Sequence, residues 1–235
     1  MAINLTYRSY EQEWMDDLDS GGEVMTQTLR ELDIINRLLG GNPISLQGLK
    51  TLLNNASKQE YTLADLGCGG GDILILMAKW ARKNNIPIQF IGIDANPNII
   101  AYAKERCKNY PEITFQCINI FDESFTKQPF DIVHASLFTH HFTEQQLVAL
   151  FLSIHQQAKI GFIINDLHRH WLAYYAIKIL TRLFSKSAMV RHDAAVSVAR
   201  AFKKSEWLAV FEQSGLTNVN IVWKWAFRWK IVGKC

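Results

Sequence analysis

Glycines are concentrated in one short stretch of this sequence, YTLADLGCGGGDILIL at residues 61–76. Four of them fall within five positions between two apolar runs: Gly67, Gly69, Gly70 and Gly71. Glycine gives up side-chain packing and backbone order, so a cluster of it is useful where a ligand must touch the main chain. Two acidic residues, Asp65 and Asp72, flank the cluster. The stretch therefore predicts a ligand-binding loop with acidic neighbours.

The spacing of these residues disfavours two common phosphate-binding loops. A dehydrogenase fingerprint that begins at Gly67 requires glycine where Asp72 stands, and one that begins at Gly69 requires glycine where Leu74 stands. A P-loop requires a lysine directly after its last glycine, and the first lysine after this loop is Lys79. Asp72 would also repel a pyrophosphate at the start of a helix. An NAD-type oxidoreductase therefore remains only as a weaker alternative.

Strand patterns alternate with helix patterns from residue 61 onward. The apolar, β-branched runs that predict strands are residues 61–66, 88–94, 113–119, 130–137 and 160–166. This alternation predicts right-handed crossovers and a doubly wound parallel sheet with helices on both faces. A helix at 205–215 precedes residues 219–233, which predict a hairpin or two edge strands. Ligands of such sheets bind at the carboxyl ends of the strands, so functional residues are expected there.

The stretch DLGCGGG, residues 65–71, resembles the D/E-x-G-x-G-x-G motif of class I S-adenosylmethionine-dependent methyltransferases. The resemblance implies an α/β, Rossmann-like sheet of seven mostly parallel strands, with the last strand antiparallel. It implies S-adenosylmethionine as cofactor and S-adenosylhomocysteine as product. A cationic sulfonium suits acidic neighbours, and Asp94 at the end of the second strand can accept both ribose hydroxyls. The cofactor-binding residues expected on this basis are Asp65, Gly67, Cys68, Gly69, Gly71, Asp94, Ala95, Asn119, Ile120 and Ser136.

One domain is expected over residues 1–235, since no linker or repeat interrupts the chain. Its expected parts are an N-terminal helical cap (1–55), a cofactor-binding core (56–166), a helical lid inserted after the fifth strand (167–204), and a C-terminal helix with strands (205–235). The insertion is strongly apolar and carries eight Arg or Lys residues against one acid, Asp193. Three interpretations of the insertion remain open. It could form a lid with a lipophilic wall and a basic rim, a helix that lies in a membrane interface, or a helix packed on the core.

The segments NDLHRHW and RHDAAVSVARAF resemble a bacterial methyltransferase subgroup that is often linked to type III polyketide synthases. That resemblance implies secondary metabolism and O-methylation of a phenolic or enolic, lipophilic small molecule with an acidic or carrier-linked end. A second hypothesis is a non-catalytic methyltransferase-like module that binds a partner or a membrane surface through its basic, aromatic cap.

Three histidines are candidate general bases for methyl transfer, which needs an aligned acceptor and gains from a base with a near-neutral pKa. His140 and His141 follow the fourth strand, and His168 follows the fifth beside Asp166, which could orient it. His141 is the first choice and His168 the second. Asp16, Asp17 and Arg200 are polar candidates for tying the two cap segments together. No metal site is expected, because the histidine pairs lack a carboxylate or thiolate at ligand spacing.

Composition argues against several classes of partner. The net charge of +3 at pH 7 is too small to indicate nucleic-acid binding. The four cysteines show no CxxC or metal-ligand spacing and predict free thiols in a reducing compartment. No apolar stretch reaches the length of a membrane span, and the N-terminus shows no signal-peptide pattern. We therefore expect a cytoplasmic protein.

Overall fold

The computed structural model describes residues 3–54 and 59–235, which include a seven-stranded sheet. The strands are β1 (Tyr61–Leu66), β2 (Ile88–Asp94), β3 (Ile113–Cys117), β4 (Phe130–Ser136), β5 (Ala158–Leu167), β6 (Val219–Lys224) and β7 (Arg228–Lys234). Their order is β3-β2-β1-β4-β5-β7-β6, with β7 antiparallel to both neighbours and the others parallel. The predicted Rossmann-like methyltransferase topology is confirmed.

The predicted strand bounds differ from the structure mainly at the carboxyl ends. The runs 61–66 and 88–94 are strands over their whole length, whereas β3 ends two residues early. The last two strands form a hairpin in which β7 inserts between β5 and β6, so only β6 is an edge strand. β5 continues to Leu167 because it pairs with β7 as far as Arg228.

Helices cover both faces of the sheet and its carboxyl edge. They are α1 (Gly22–Leu38), α2 (Gly41–Leu53), α3 (Asp72–Lys83), α4 (Pro97–Cys107), α5 (Glu123–Thr126), α6 (Glu144–Gln157), α7 (Trp171–Phe184), α8 (Ala188–Arg200) and α9 (Lys204–Gln213). Apolar residues of α2, α3 and α4 pack on one face of the sheet, and those of α5, α6 and α9 pack on the other. This arrangement is doubly wound, as predicted.

The N-terminal segment contributes to two layers. Helix α2 packs directly on the sheet, where Gly48 allows close approach because a Cβ there would lie 2.4 Å from Ile163 Cγ2. Helix α1 and a short 3-10 turn (Trp14–Asp16) instead lie near α8, over the carboxyl edge of the sheet. The expected boundary between residues 55 and 56 lies outside the described residues.

No helix within residues 3–54 and 59–235 has both the length and the apolar character that crossing a bilayer requires.

Candidate active site

A cavity of about 410 Å³ lies where the carboxyl ends of β1, β2 and β4 meet. The chain leaves β1 toward β2 on one side and returns to β4 on the other, so this is the switch point at which such sheets bind ligands. Nine of the ten residues expected to bind the cofactor line the cavity: Asp65, Gly67, Cys68, Gly69, Asp94, Ala95, Asn119, Ile120 and Ser136.

Gly71, the tenth expected residue, has a backbone role. It adopts φ +73° directly before α3, and a Cβ there would lie 2.8 Å from the sulfur of Cys107. Gly67, with φ +63°, faces the cavity floor, where a Cβ would lie 2.1 Å from the ring of Phe138. Both conformations are strained for other residues. The glycine spacing therefore reflects a tight turn packed against Phe138 and Cys107.

Asp94 links the end of β2 to the glycine loop. Its Oδ2 accepts from the backbone N–H of Gly69 (3.4 Å), and its Oδ1 accepts from the N–H of Asn96 (3.0 Å). Burial raises the pKa of Asp94 above that of an ordinary carboxyl, although these hydrogen bonds oppose the shift. The carboxylate is thus pre-positioned on the cavity wall.

Asp65 is held from behind by a buried polar network. Its Oδ1 lies 2.6 Å from Nδ1 of His134, whose Nε2 lies 2.9 Å from the hydroxyl of Ser45 on α2. Asn165 donates to the same hydroxyl (3.0 Å) and to that of Ser136 (3.1 Å). These residues come from one helix and three strands, with His134 and Ser136 both on β4, so the network fixes α2 against β1, β4 and β5.

A second acidic pair lies on the other side of the glycine loop. Asp33 of α1 and Asp72 at the start of α3 both line the cavity, and Asp33 forms a 2.5 Å ion pair with Arg106. Burial and the charge of Asp33 raise the pKa of Asp72 to about 6, against the opposing charge of Arg106. The sequence singled out Asp72, but it gave no indication that α1 would bring Asp33 beside it.

The end of β3 supplies an apolar wall. Ile118 and the buried Ile120 line the cavity together with Asn119 and Phe121. The side-chain oxygen of Asn119 accepts from the backbone N–H of Phe121 (3.0 Å). This bond orders the loop after β3 and partly occupies the acceptor expected to meet an adenine amino group.

His141 lies on the cavity wall and is paired with Asp16 from the N-terminal segment. Its Nδ1 is 2.6 Å from Asp16 Oδ1, and Arg200 donates to Asp16 Oδ2 (2.6 Å) and to the carbonyl of His141 (2.6 Å). Burial by itself would raise the pKa of Asp16, but His141 and Arg200 hold it well below the ordinary carboxyl range. In the described part of the chain, Nε2 of His141 makes no hydrogen bond.

The expected pairing of Asp16 with Arg200 across the two cap segments is therefore present. Asp17 takes no part in it, since its carboxylate accepts from Asp19 and Ser20 within the same turn.

His140 points away from the cavity into a buried charge network. Its Nδ1 lies 2.7 Å from Asp166 Oδ1, and its Nε2 lies 3.5 Å from Glu13 Oε1. Burial opposes a charge on this ring, yet the two carboxylates raise its pKa to about 9, while His140 lowers that of the buried Asp166 to about 2. Asp166, which the sequence suggested as the partner of His168, instead binds His140 and the hydroxyl of Thr139.

His168 does not reach the cavity. β5 runs one residue further than predicted, so His168 lies past the sheet edge, with its ring 4.8 Å from Trp229 and 5.8 Å from His170. Burial and neighbouring positive charges lower its pKa to about 4. The geometry thus brings one of the three histidine candidates, His141, to the cavity.

The sequence shows no carboxylate at metal-ligand spacing from the histidine pairs, but in the fold Glu13 lies beside His140 and His141. Donor atoms of Glu13, His140 and His141 lie within 4.8 Å of one another. Arg200 is 3.6 Å from Glu13 Oε1, and His140 carries a positive charge at neutral pH. Glu13 therefore already lies beside two cations, so we interpret the cluster as a charge network that holds the N-terminal segment in place.

The insertion after β5 contributes no lining residue within the described parts of the chain. The expectation of a lid with a lipophilic wall is therefore wrong for this cavity. The wall comes instead from the N-terminal segment, through Met15, Leu18, Leu29 and Leu32. The signal that could have shown this is the apolar spacing of α1, in which Leu29 and Leu32 continue the buried side of the helix that begins at Met25.

The sequence matches a family model described as a methyltransferase domain over residues 57–215. The chain belongs to this methyltransferase family. The family match supports S-adenosylmethionine, the methyl donor predicted from the glycine loop, and one structural neighbour was solved with that molecule bound. A nicotinamide dinucleotide is thereby set aside as the cofactor of this methyltransferase.

Relatives of this methyltransferase support the assignment. An uncharacterized methyltransferase of Synechocystis sp. is 31% identical over 137 residues, which are 57% of this chain and 60% of that protein. A carboxy-S-adenosyl-L-methionine synthase of Helicobacter pylori is 20% identical over 188 residues, 76% of each chain. The structure of human N-acetylserotonin methyltransferase with S-adenosylmethionine aligns with a TM-score of 0.65 at 14% identity, over 96% of this chain and 59% of that one. The matched region thus spans about three fifths of the Synechocystis protein.

The residues of the methyltransferase cavity fit this cofactor. Five carboxylates line the cavity: Asp16, Asp33, Asp65, Asp72 and Asp94. No Lys or Arg within residues 3–54 and 59–235 lines it. Such a lining favours a sulfonium and an ammonium group over a pyrophosphate. Asp94 would hold the ribose, Ile118 and Ile120 would flank the adenine, and the loop at Gly67 and Gly69 would meet the amino-acid end.

Asp94→Ala is expected to weaken S-adenosylmethionine binding at least tenfold, about 1.4 kcal/mol or more, because the ribose hydroxyls lose their acceptor. Asp94→Asn keeps one acceptor oxygen and should lose less. Titration calorimetry measures both, with the exposed Glu105→Ala as control. Unchanged affinity in Asp94→Ala would place the ribose elsewhere.

The His140 network predicts a pH-dependent stability. The folded-state pKa of about 9 exceeds the ordinary 6.5, so the stabilisation is complete below pH 6.5 and lost as pH rises to 9. The free energy of unfolding should fall across this window by up to about 1.4 kcal/mol per pH unit. Urea denaturation between pH 6.5 and 9.5 measures it.

His140→Gln should flatten this pH dependence, whereas the exposed His155→Gln should leave it unchanged. An equal slope in wild type and His140→Gln would contradict the charge assignment.

Proposed function

We propose that this protein transfers a methyl group from S-adenosylmethionine to a hydroxyl of a phenolic or enolic small molecule. The observation that carries the proposal is the 2.6 Å pair between His141 Nδ1 and Asp16 Oδ1 on the wall of the cavity that the glycine loop lines. A histidine oriented by a carboxylate is the usual arrangement of a general base. The proposed base and the cofactor residues thus share one cavity.

The proton path follows from the charge on Asp16. Because its pKa is held low, Asp16 is an ionised acceptor that keeps the proton of His141 on Nδ1. Nε2 is then the ring nitrogen free to take the hydroxyl proton. The bound cofactor supplies an electrophilic methyl group: the acceptor oxygen bonds to it as the sulfur–carbon bond breaks, and the bonding electrons leave with sulfur. The imidazolium formed is stabilised by Asp16.

The cavity lining supports a lipophilic, neutral acceptor. Apolar side chains of the N-terminal segment face aromatic rings from the loop after β4, among them Leu29, Leu32, Phe138 and Phe142. The five carboxylates of the lining would repel an acidic group. An acidic or carrier-linked end of the acceptor, as the sequence suggested, would therefore extend outside the cavity. A role in secondary metabolism in the cytoplasm is part of the same proposal.

His141→Ala is expected to lower turnover by about 10²–10⁴-fold, the usual contribution of a general base. S-adenosylmethionine affinity should stay within twofold, because the cofactor residues are intact. The assay follows S-adenosylhomocysteine release with 4-hexylresorcinol as a model acceptor. The exposed His155→Ala is the control.

Asp16→Asn tests orientation separately. It should lower turnover by about tenfold and change the pH profile of kcat, since the amide no longer stabilises the imidazolium. Normal turnover in His141→Ala would remove the proposed base. A protein that binds the cofactor but methylates no phenol or enol in a panel of such acceptors would contradict O-methylation and favour the binding-module hypothesis.

A further inference from the structure

Helix α7 exposes an apolar face that the methyl-transfer site does not use. Only Ala173 and Thr181 of its fourteen residues are buried. Its outer face presents apolar side chains that are 39–78% exposed: Trp171, Leu172, Tyr175, Ile179, Leu180, Leu183 and Phe184. The four-residue spacing from Trp171 to Leu183 places these side chains along one side of the helix. A helix this apolar is rarely left facing water.

A groove between α1 and α7 extends this face. Its volume is about 360 Å³, and its walls are almost wholly aliphatic or aromatic: Ile34, Ile35, Leu38, Leu39, Ile177, Leu180 and Phe184. The one acid in the groove, Glu31, is turned inward, accepting from the hydroxyl of Ser185 and the backbone N–H of Lys186. The groove therefore offers a ligand almost no polar contact.

Aromatic contacts connect α7 to the turn between β6 and β7. The ring of Trp171 lies 5.7 Å from His170, His170 stacks on Phe227 at 4.8 Å, and Phe227 lies 6.0 Å from Trp223. Trp225, 67% exposed, packs beside Gly40 at the start of α2. Helices α1 and α7 and this turn thus form one continuous surface, which we call the α7 face.

Basic residues border the α7 face. Lys178, Arg182 and Lys186 are exposed, and none of them forms an ion pair with a residue that the structure describes. Neither α7 nor the segment 223–230 contains an acidic residue. The acid of the insertion, Asp193, is buried and accepts from the backbone N–H groups of the 3-10 turn. The positive charge at the rim is therefore not balanced locally.

We propose that the α7 face docks on an anionic lipid bilayer. A bilayer offers apolar chains at depth and negative headgroups at its surface, which matches an apolar helix face with Lys and Arg at its edge. Tryptophans at three points of the face suit the headgroup region. A protein interface also has an apolar centre and a polar rim. The charged residues of α7 and of segment 223–230 are all basic, however, and this single sign of charge suits the uniformly negative surface of an anionic bilayer.

Helix α1 lies between the groove of the α7 face and the active-site cavity, and contributes side chains to both. Leu29, Leu32 and Asn36 line the cavity, whereas Ile34 and Leu38 face the groove. Docking would place the cavity one helix away from the bilayer, so a lipophilic acceptor could be drawn from the membrane. This last step rests on the proposed function; the docking itself does not.

Co-sedimentation with phosphatidylcholine vesicles, with and without about a third of phosphatidylglycerol, tests the proposal. Wild type should bind the anionic vesicles at least tenfold more tightly than the neutral ones. Leu183→Ser/Phe184→Ser should lower binding at least tenfold. Leu152→Ser/Leu208→Ser changes two other exposed apolar residues, on α6 and α9; it is the control and should bind as wild type does.

Lys178→Gln/Arg182→Gln tests the electrostatic part. It should reduce the preference for anionic vesicles several-fold, with Lys79→Gln/Lys83→Gln on α3 as control. Because these substitutions are at exposed positions, they leave the core intact. If Leu183→Ser/Phe184→Ser fails to fold, Lys178→Gln/Arg182→Gln and its control still test whether the α7 face binds anionic vesicles. Titration with S-adenosylmethionine should give wild-type affinity throughout, which separates failure of docking from failure of the proposed function.

Wild type that ignores both kinds of vesicle overturns the proposal. So does equal loss of binding in the apolar variant and its control. A wild-type dimer in sedimentation velocity that Leu183→Ser/Phe184→Ser converts to monomer, without vesicle binding, would identify the α7 face as an interface between two copies of this chain.

Discussion

The attachment of the N-terminal segment to the carboxyl edge of the sheet is the constraint on which the site depends. Glu13 and Asp16 bring two carboxylates to a place where His140, His141 and Arg200 already converge. Leaving these groups unpaired in the interior would be costly, so each needs the others. The segment itself contributes Met15, Asp16 and Leu18 to the cavity wall. The same ion pairs therefore close the cavity and orient the proposed base.

The two adjacent histidines differ in burial, and this difference gives one a structural role and the other the proposed catalytic role. His140, 2% exposed, lies between Asp166 and Glu13 and is charged at neutral pH, so it cannot accept a further proton. His141 is hydrogen-bonded to Asp16 through Nδ1, with Glu13 further away at 3.8 Å, and lines the cavity. Sequence adjacency makes the two look equivalent. His140 pairs with Asp166 in the interior and His141 with Asp16 at the cavity, and these different partners give them different roles.

Local pattern was sufficient to predict the sheet and the cofactor loop from the sequence, because strand alternation and the glycine motif are properties of neighbouring residues. The partner of His141 could not be predicted in this way, since Asp16 lies 125 positions away and carries no pattern of its own. The prediction for His168 was wrong for a related reason: its backbone N–H donates to the carbonyl of Phe227 and its ring packs beside Trp229, and neither contact with the β6–β7 hairpin can be read from neighbouring residues. That the insertion does not line this cavity could not be predicted either, because apolar composition does not say which cavity a helix faces.

Helix α1 shows how one amphipathic element can serve two surfaces. Its buried side, with Met25 and Leu29, packs near the cofactor loop, and its opposite side carries the exposed Ile34 and Leu38. A helix with apolar residues on both sides needs an apolar neighbour on each side. Helix α7 covers only part of the outer side of α1, because a groove remains between the two helices. The mismatch between the two helices leaves an apolar surface beside an acidic cavity. A lipophilic acceptor and a cationic cofactor would thus be drawn to adjacent but chemically distinct parts of the molecule.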